Sequence, residues 1–366
     1  MIIVDVQTHV VRRQRDDQLW NPKMVWDEKV VLLVSVTLES GETGWGEAWV
    51  DGITYTVVEE LITKTFRPLL IGQNVKYFTR IWETLFEKSV YSSKQGLVYA
   101  ATGAVDMAVL DAYAKALRLP LCELLGRHAD SIPCYASGGL YGRDKTIDDL
   151  AAEMAGYVER GFRAVKIKAG GAPLKVDITR VAAVREAVGP DVRLMVDSLY
   201  NHSVQEAIAF SNAIAAYDVY FLEAPIAPTD IRGLAKVNAR GATPVAGNEF
   251  AHGRYDYLRL MQENAVDYVH LDPILCGGVT EGLKIAAMAS AFHMDVSFHS
   301  SSSAVCFAAN IHLAAAVANC DSIEFHMVHQ VLFDKVPEDT FVIDDKGRLK
   351  VPEGPGLGIG ELRSAS

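Results

Sequence analysis

Two lysines one residue apart open the chemistry of this chain. In Val165-Lys166-Ile167-Lys168 the lysines alternate with apolar residues, so an extended strand puts both ammonium groups on one face. Lysine is rarely buried without compensation, and two like charges side by side are costly. The strand therefore needs anions nearby or a task for its charge. Three carboxylates follow at equal steps: Asp197 closes Leu194-Met195-Val196, Glu223 closes Val219-Tyr220-Phe221-Leu222, and Glu249 follows Pro244-Val245-Ala246-Gly247-Asn248. Three hard oxygen donors with no Cys or His among them suit Mg²⁺ better than Zn²⁺, because Mg²⁺ takes oxygen and keeps positions open for water or substrate.

Two more run ends supply a different chemistry. Asp272 follows Val269-His270-Leu271, and His299 follows Val296-Ser297-Phe298. A carboxylate beside an imidazole fixes its tautomer and raises its basicity, which gives a general acid or base near neutral pH. Lys168 can accept a proton from the other side, and Glu324, in Ser322-Ile323-Glu324-Phe325, reaches the same cavity, as does His326 two residues on. One metal and two opposed proton carriers describe abstraction of the proton next to a carboxylate. That proton is weakly acidic, and the dianionic enediolate left behind needs concentrated positive charge, here from Mg²⁺ and Lys166.

Such residues must converge, and the chain supplies a scaffold that does this. Eight short apolar runs, at 132–136, 164–168, 193–197, 219–223, 244–247, 267–271, 295–299 and 322–325, alternate with amphipathic stretches such as 147–160, 176–188 and 204–214. That order predicts a barrel of parallel strands, which gathers strand-end side chains at one rim. Residues 1–127 read differently. Alternation at 3–11, 30–38 and 44–49 predicts an antiparallel meander, and helical periodicity follows from 54 to about 126, with Pro120 stopping the third helix. The expected organisation is an α+β capping domain over 1–127, a barrel over 128–330, and a segment over 331–366 that returns to the cap. The loop at 13–27, with Trp20 and Pro22, is a candidate lid carrying Trp20 toward a substrate.

Composition removes other classes. The chain has 366 residues, is 50% hydrophobic and carries a net charge of −11. Its only basic cluster is Arg12-Arg13-Gln14-Arg15, so neither nucleic acid nor an acidic membrane is expected as a partner. The N-terminus lacks a charged leader, and the most apolar segment, 304–320, is broken by Asn310 and His312, as in a buried helix. Five scattered cysteines without a CxxC pair suggest reduced thiols and a cytoplasmic protein.

The ordered set Lys166-x-Lys168, Asp197, Glu223, Glu249, Asp272, His299, Glu324 resembles the enolase superfamily and, within it, the mandelate racemase subgroup, over almost the whole chain. The resemblance implies a modified TIM barrel, (β/α)7β-like, with an N-terminal α+β capping domain. It implies Asp197, Glu223 and Glu249 as Mg²⁺ ligands, Lys168 as base on one face, and His299 with Asp272 acting on the other. Lys166 and Glu324 would meet the substrate carboxylate, and loops at 13–27 and 49–55 would close over it. A homo-oligomer, dimeric or octameric, is also implied. Where the family often has Asp-x-Asn at the first ligand, this chain has Asp197-Ser198-Leu199.

The shared proton abstraction leaves the outcome open. Loss of a β-hydroxyl gives a 2-keto-3-deoxy acid, whereas return of the proton gives an epimer. Members resembling this subgroup most often dehydrate acid sugars, and a polar rim of Ser300 to Ser303, His326, His329 and Tyr141 suits a polyol. Dehydration of an aldonate or aldarate is the favoured expectation. Racemisation, epimerisation or lactone cycloisomerisation is the alternative. A binding protein that had lost its chemistry would lack one of these ligands or bases, and none is missing.

Overall fold

Alternation at the N-terminus does build a meander. In this computed structural model, which describes residues 1–15, 18–25, 27–89, 95–360 and 362, strand β1 (Ile3–Gln14) precedes a small hairpin, β2 (Leu19–Asn21) and β3 (Met24–Val25). β4 (Glu28–Leu38) and β5 (Thr43–Ala48) follow, and β4 lies antiparallel between β1 and β5. The near-continuous apolar run of β4 reflects burial on both faces. Leu32, Val34 and Val36 join the core of the N-terminal domain, while Val31 and Leu33 join the core shared with the barrel.

The expected lid at 13–27 is corrected in part. Arg13 and Gln14 continue β1, and β2 pairs with a two-residue strand at the barrel mouth, bringing Trp20 opposite Tyr141. Asp16, Asp17 and Trp26 lie outside the described residues.

The helices of this domain are α1 (Tyr55–Glu60), which continues through a π-helical run, Leu61–Phe66, into α2 (Arg67–Leu70), then α3 (Phe78–Lys88), α4 (Leu97–Leu117) and α5 (Leu121–Leu125). Helix α4 is apolar all round because it is wrapped all round. It is long and apolar enough to cross a membrane by length and composition, yet 89% of its most apolar window is buried inside the protein. β5 lies directly on it: a Cβ at Gly44 would sit 2.1 Å from the carbonyl oxygen of Ala108, and one at Gly46 2.0 Å from that of Ala104. Only glycine allows that approach.

The barrel runs through β6 (Ser131–Ser137), the short β7 (Tyr141–Gly142), α6 (Ile147–Glu159), β8 (Ala164–Lys168), α7 (Leu174–Val188), β9 (Arg193–Asp197), α8 (Val204–Ile214) and β10 (Val219–Glu223). It continues with α9 (Ile231–Arg240), β11 (Val245–Gly247), α10 (Gly253–Gln262), β12 (Tyr268–Leu271), α11 (Pro273–Cys276), α12 (Val279–Ala291), β13 (Asp295–Phe298), α13 (Ala304–Ala315) and β14 (Cys320–His326). Parallel pairing of β14 with β6 closes eight strands into a ring that β7 does not enter. Local sequence starts the helices: Thr146 with Asp149 and Ser203 with Glu206 form capping boxes before α6 and α8.

Strand alternation sorts the barrel interior. Tyr135, Ala164, Met195, Phe221 and Ala246 point inward as an apolar plug. One step further along the same strands, Lys166, Lys168, Asp197 and Glu223 share that inward face, while Val165, Ile167, Leu194, Val196 and Leu222 turn out to the helices. The tail begins with a 3₁₀ stretch, Met327–Leu332, and adds β15 (Arg348–Lys350) antiparallel to the start of β6. It then reaches the N-terminal helices, where the Leu357 amide donates to Asp111 Oδ1 at 2.7 Å.

Candidate active site

The two lysines of β8 solve their repulsion by dividing the acids between them. Lys166 Nζ lies 2.7 Å from Glu223 Oε2 and 2.9 Å from Glu324 Oε1, and none of its surface is exposed. Burial opposes its charge, but Glu223 and Glu324 outweigh that cost and hold the ammonium well above the usual lysine range. Lys168, 6% exposed, donates to Asp197 Oδ2 at 2.5 Å. The Lys166 charge that stands beside Lys168 is thus compensated by two carboxylates.

Register aligns the acids. Lys168 pairs with Asp197 and Asp197 with Glu223 along β8, β9 and β10, and Glu249 follows the end of β11. Among the described residues, Glu223, Glu249 and His270 form a group of possible metal donors whose ligand atoms lie within 4.8 Å of one another. Asp197 stands beside them with Oδ2 on Lys168 and Oδ1 accepting from the Leu199 amide at 2.8 Å. Glu223 Oε1 and Glu249 Oε2 are buried without a hydrogen-bond donor; His270 Nδ1 is 3.4 Å from Glu223 Oε1, a charge contact rather than a formed bond. Burial and the nearby Glu223 raise the Glu249 carboxyl above its ordinary range. Buried oxygens of like charge with open lone pairs fit a hard divalent cation such as Mg²⁺.

Across the barrel, His299 Nδ1 lies 2.9 Å from Asp272 Oδ2, and Glu324 Oε2 is 3.8 Å from Nε2. Burial opposes the imidazolium, but the bond to Asp272 and the charge of Glu324 raise His299 to about 9. Asn310 on α13 donates to Asp272 Oδ1 at 3.2 Å, and Trp49, just past β5, has its ring 6.3 Å from that of His299. β6 and β14 separate β8 from β13 one way round the ring, and β9 to β12 the other. A small molecule between them would have a proton carrier on each side.

The remaining expected contacts divide. His326 is buried, its ring 4.1 Å from that of His329, and burial with the charges of Lys168 and Lys166 holds it well below the usual histidine range despite Glu324. Trp20 and Tyr141 stack at 4.4 Å. The Tyr141 hydroxyl is a correction: it donates to buried Asp177 at 2.6 Å and accepts from the Gly171 amide at 3.0 Å. Its polar end serves the β8–α7 loop instead of facing a substrate.

Sequence reasoning missed four residues of the site. His270 shares the inward face with Asp272, so the period of two could have found it. Asn310 signalled only an interrupted apolar run. Tyr200 follows the departure at Leu199. Both adopt left-handed backbone, with φ of 59° and 45°, which costs energy in residues with a side chain and suits a sharp turn at a working site. The turn sends the Tyr200 hydroxyl to Asn248 Oδ1 at 3.1 Å, and burial next to Glu249 raises the phenol well above its ordinary range. Lys29 of β4 is the fourth: burial and the charges of Arg15 and Lys168 lower it to about 7.

Comparison with known proteins extends these observations. Residues 15–126 match the mandelate racemase / muconate lactonizing enzyme N-terminal domain, and residues 149–363 match the enolase C-terminal domain-like family. The chain is 30% identical over 328 residues to an arabinonate dehydratase of Saccharolobus solfataricus, covering 90% of this chain and 87% of that protein. It is 31% identical over 376 residues to a D-galactarolactone cycloisomerase of Agrobacterium fabrum, covering 100% and 98%. A racemase from Streptomyces coelicolor A3(2), solved with bound magnesium, superposes with a TM-score of 0.90 at 27% identity, covering 98% of this chain and 97% of that one.

Proposed function

The chain belongs to the mandelate racemase and muconate lactonizing enzyme group of the enolase superfamily, and we propose that it dehydrates an acid sugar, an aldonate or aldarate, to a 2-keto-3-deoxy acid. The observation that carries this is the opposition of Lys168 on β8 to the His299–Asp272 pair across a floor of buried carboxylates. Mg²⁺ is the cofactor; Asp197, Glu223 and Glu249 would hold it, with His270 beside them, and it would polarise the substrate carboxylate and favour negative charge there.

The protein's own groups do the rest. Lys166, fixed between Glu223 and Glu324, presents a permanent positive charge to the carboxylate end of the substrate. Lys168, as the neutral amine, takes the α-proton and becomes the ammonium that Asp197 holds, and the electron pair moves into the carboxylate as an enediolate. His299, kept as imidazolium by Asp272, gives its Nε2 proton to the β-hydroxyl, which departs as water while the pair forms the double bond of an enol. The enol then becomes the 2-keto acid. Trp49 above His299 limits water at the reacting face.

The likeness to the cycloisomerase over the full length favours one second reading, in which the same proton abstraction opens a sugar-acid lactone. Proton NMR in D₂O with Mg²⁺, on pools of aldonates, aldarates and their lactones, tests both. Dehydration predicts loss of the α-proton signal with new methylene signals from an open-chain acid, whereas the same signals from the lactone alone would establish the cycloisomerase. Exchange of the α-proton without a methylene would replace the dehydratase by an isomerase, and exchange on no substrate would remove Lys168 as the base. Small carboxylic acids are thus the expected partners of the site.

A further inference from the structure

The buried face of α7 carries charge where packing alone asks for none. Asp177 is fully buried and Arg180 is 5% exposed, in one stripe with Val181, Val184 and Val188. Their direct attraction is loose: Arg180 Nε lies 3.6 Å from Asp177 Oδ1 and has no hydrogen-bond acceptor among the described residues. Replacing a buried ion pair by apolar groups of similar volume is often neutral or stabilising, so packing does not account for this one. What the two side chains hold is backbone, at the end of the strand that carries both lysines.

Arg180 Nη2 donates to the Gly139 carbonyl at 2.9 Å and to the Lys168 carbonyl at 3.2 Å. Asp177 Oδ2 accepts from the Gly170 amide at 2.8 Å, and its Oδ1 accepts from the Tyr141 hydroxyl, which accepts in turn from the Gly171 amide. These bonds begin where the sheet ladder ends, because Lys168 is the last residue of β8 paired with β9. The chain must turn tightly there. Gly170 has a φ of 81°, and a Cβ on it would lie 2.9 Å from the Ser198 carbonyl oxygen; Gly139, with a φ of 62°, passes so close that its Cβ would lie 2.8 Å from that of Ile167. The exits of β6 and β8 thus cross, and one guanidinium pins both. On the reading of Lys168 as the base, we propose that Arg180 is a positioning residue for it: by holding the Lys168 and Gly139 carbonyls, while Asp177 holds the Gly170 amide, it fixes the end of β8 and with it the line along which Lys168 Nζ meets the α-proton. Nζ also donates to Asp197 Oδ2 at 2.5 Å, so a tilt of the strand end trades reach toward the substrate against that bond. A misplacement of about 1 Å costs a proton transfer of this kind about 10²-fold.

The test uses six-carbon aldonates and aldarates, protiated and deuterated at the α-carbon, with kcat expressed per Mg²⁺-binding site so that misfolded protein does not count. Arg180→Met is expected to lower kcat by about 10²-fold with KM within threefold of the parent. Its α-deuterium isotope effect on kcat should be no smaller than the parent's, because proton abstraction is the step slowed. Arg180→Lys keeps the charge and one donor but loses the fork, and should recover about tenfold of that loss; if Arg180→Met fails to fold by circular dichroism, Arg180→Lys decides by the same readings. Amide hydrogen exchange at residues 169–171 should rise at least tenfold in either variant. A kcat within threefold of the parent would overturn the proposal, as would unchanged amide exchange, or a lowered kcat whose isotope effect falls to near one and so places the slow step elsewhere. Lys168→Ala separates this from the base assignment. Exchange of the substrate α-proton that survives in Lys168→Ala would refute Lys168 as the base, whereas its loss there, beside a parental rate in Arg180→Met, would refute the positioning role alone.

Discussion

The barrel wall between β8 and β10 and the mouth beneath the N-terminal strands both gather titratable groups, and they settle their charge in different ways. On the wall, Lys166 has Glu223 and Glu324, and Lys168 has Asp197, all within 3 Å. At the mouth, burial and nearby cations hold the imidazoles of His326 and His329 well below the usual histidine range, so these rings stand neutral. A balanced wall can be built by folding alone, and it presents a fixed field to whatever lies above it. Neutral rings shape the mouth without adding charge to it. The difference separates groups that carry the field of the site from groups that line its mouth, with Lys168 and His299 at the seam between them.

Breaking the seam should have the largest effect. Lys168→Ala or His299→Asn is expected to lower turnover by about 10³-fold or more, in line with the 10²–10⁴ supplied by one positioned proton carrier. Both variants should keep the fold and bind Mg²⁺ while losing the stability that the pairs with Asp197 and Asp272 supply. Full activity in both variants would dissolve the opposition of the two faces and place the chemistry elsewhere.

Striking the wall should cost stability before it costs anything else. Lys166→Met leaves Glu223 and Glu324 buried without their shared cation, a loss of about 3–5 kcal/mol. Burial raises both carboxyls, but Lys166 pulls each below its ordinary range, so their stabilising contribution is present above about pH 4.5 and lost as pH falls through the lowered values. Urea denaturation should therefore show the largest penalty at neutral pH and a shrinking one in acid. A penalty independent of pH would mean that the pair is not what balances the wall.

The pH profile sharpens the contrast at His299. Its imidazolium is raised to about 9 against the usual value near 6.5. Stability from the charged form is thus complete below about 6.5 and lost as pH rises through about 9. If His299 donates the proton to the leaving hydroxyl, the rate constant for dehydration should fall over the same upper range, and His299→Asn should lose that limb in residual activity. An upper limb unchanged in the variant would assign it to another group.

The wall was more legible in the sequence than the mouth, for a physical reason. Several barrel strands are short apolar runs that end at or just before a titratable residue, so Lys166, Lys168, Asp197, Glu223, Asp272 and His299 announce their own positions and the barrel brings them together. What such local patterns omit is partnership at a distance. The lysine pair read as mutual repulsion because nothing near it in sequence shows that Glu324, from the last strand, lies against Lys166. Arg15 follows what reads as an ordinary polar strand end, and only the docking of the meander on the barrel brings its guanidinium to the Val328 carbonyl. The short hairpin β2–β3 was invisible for a similar cause, since its pairing with β7 depends on tertiary contact and not on a run of alternation.

Tyr141 gives the smallest test of this division, since its place in the sequence suggested the mouth and its bonds belong to the frame. The hydroxyl joins buried Asp177 to the Gly171 amide, and Arg180 packs on its ring with the guanidinium carbon 4.0 Å from the centroid. Tyr141→Phe keeps the stack on Trp20 and removes one donor from a buried carboxylate that still accepts from the Gly170 amide at 2.8 Å. The cost should be about 1–3 kcal/mol of stability, the range for leaving one buried partner unsatisfied. KM and kcat should change less than threefold, because the loop after β8 is displaced only as far as the loss of one bond allows. A tenfold rise in KM at unchanged stability would return the hydroxyl to the substrate and move Tyr141 from the frame to the mouth.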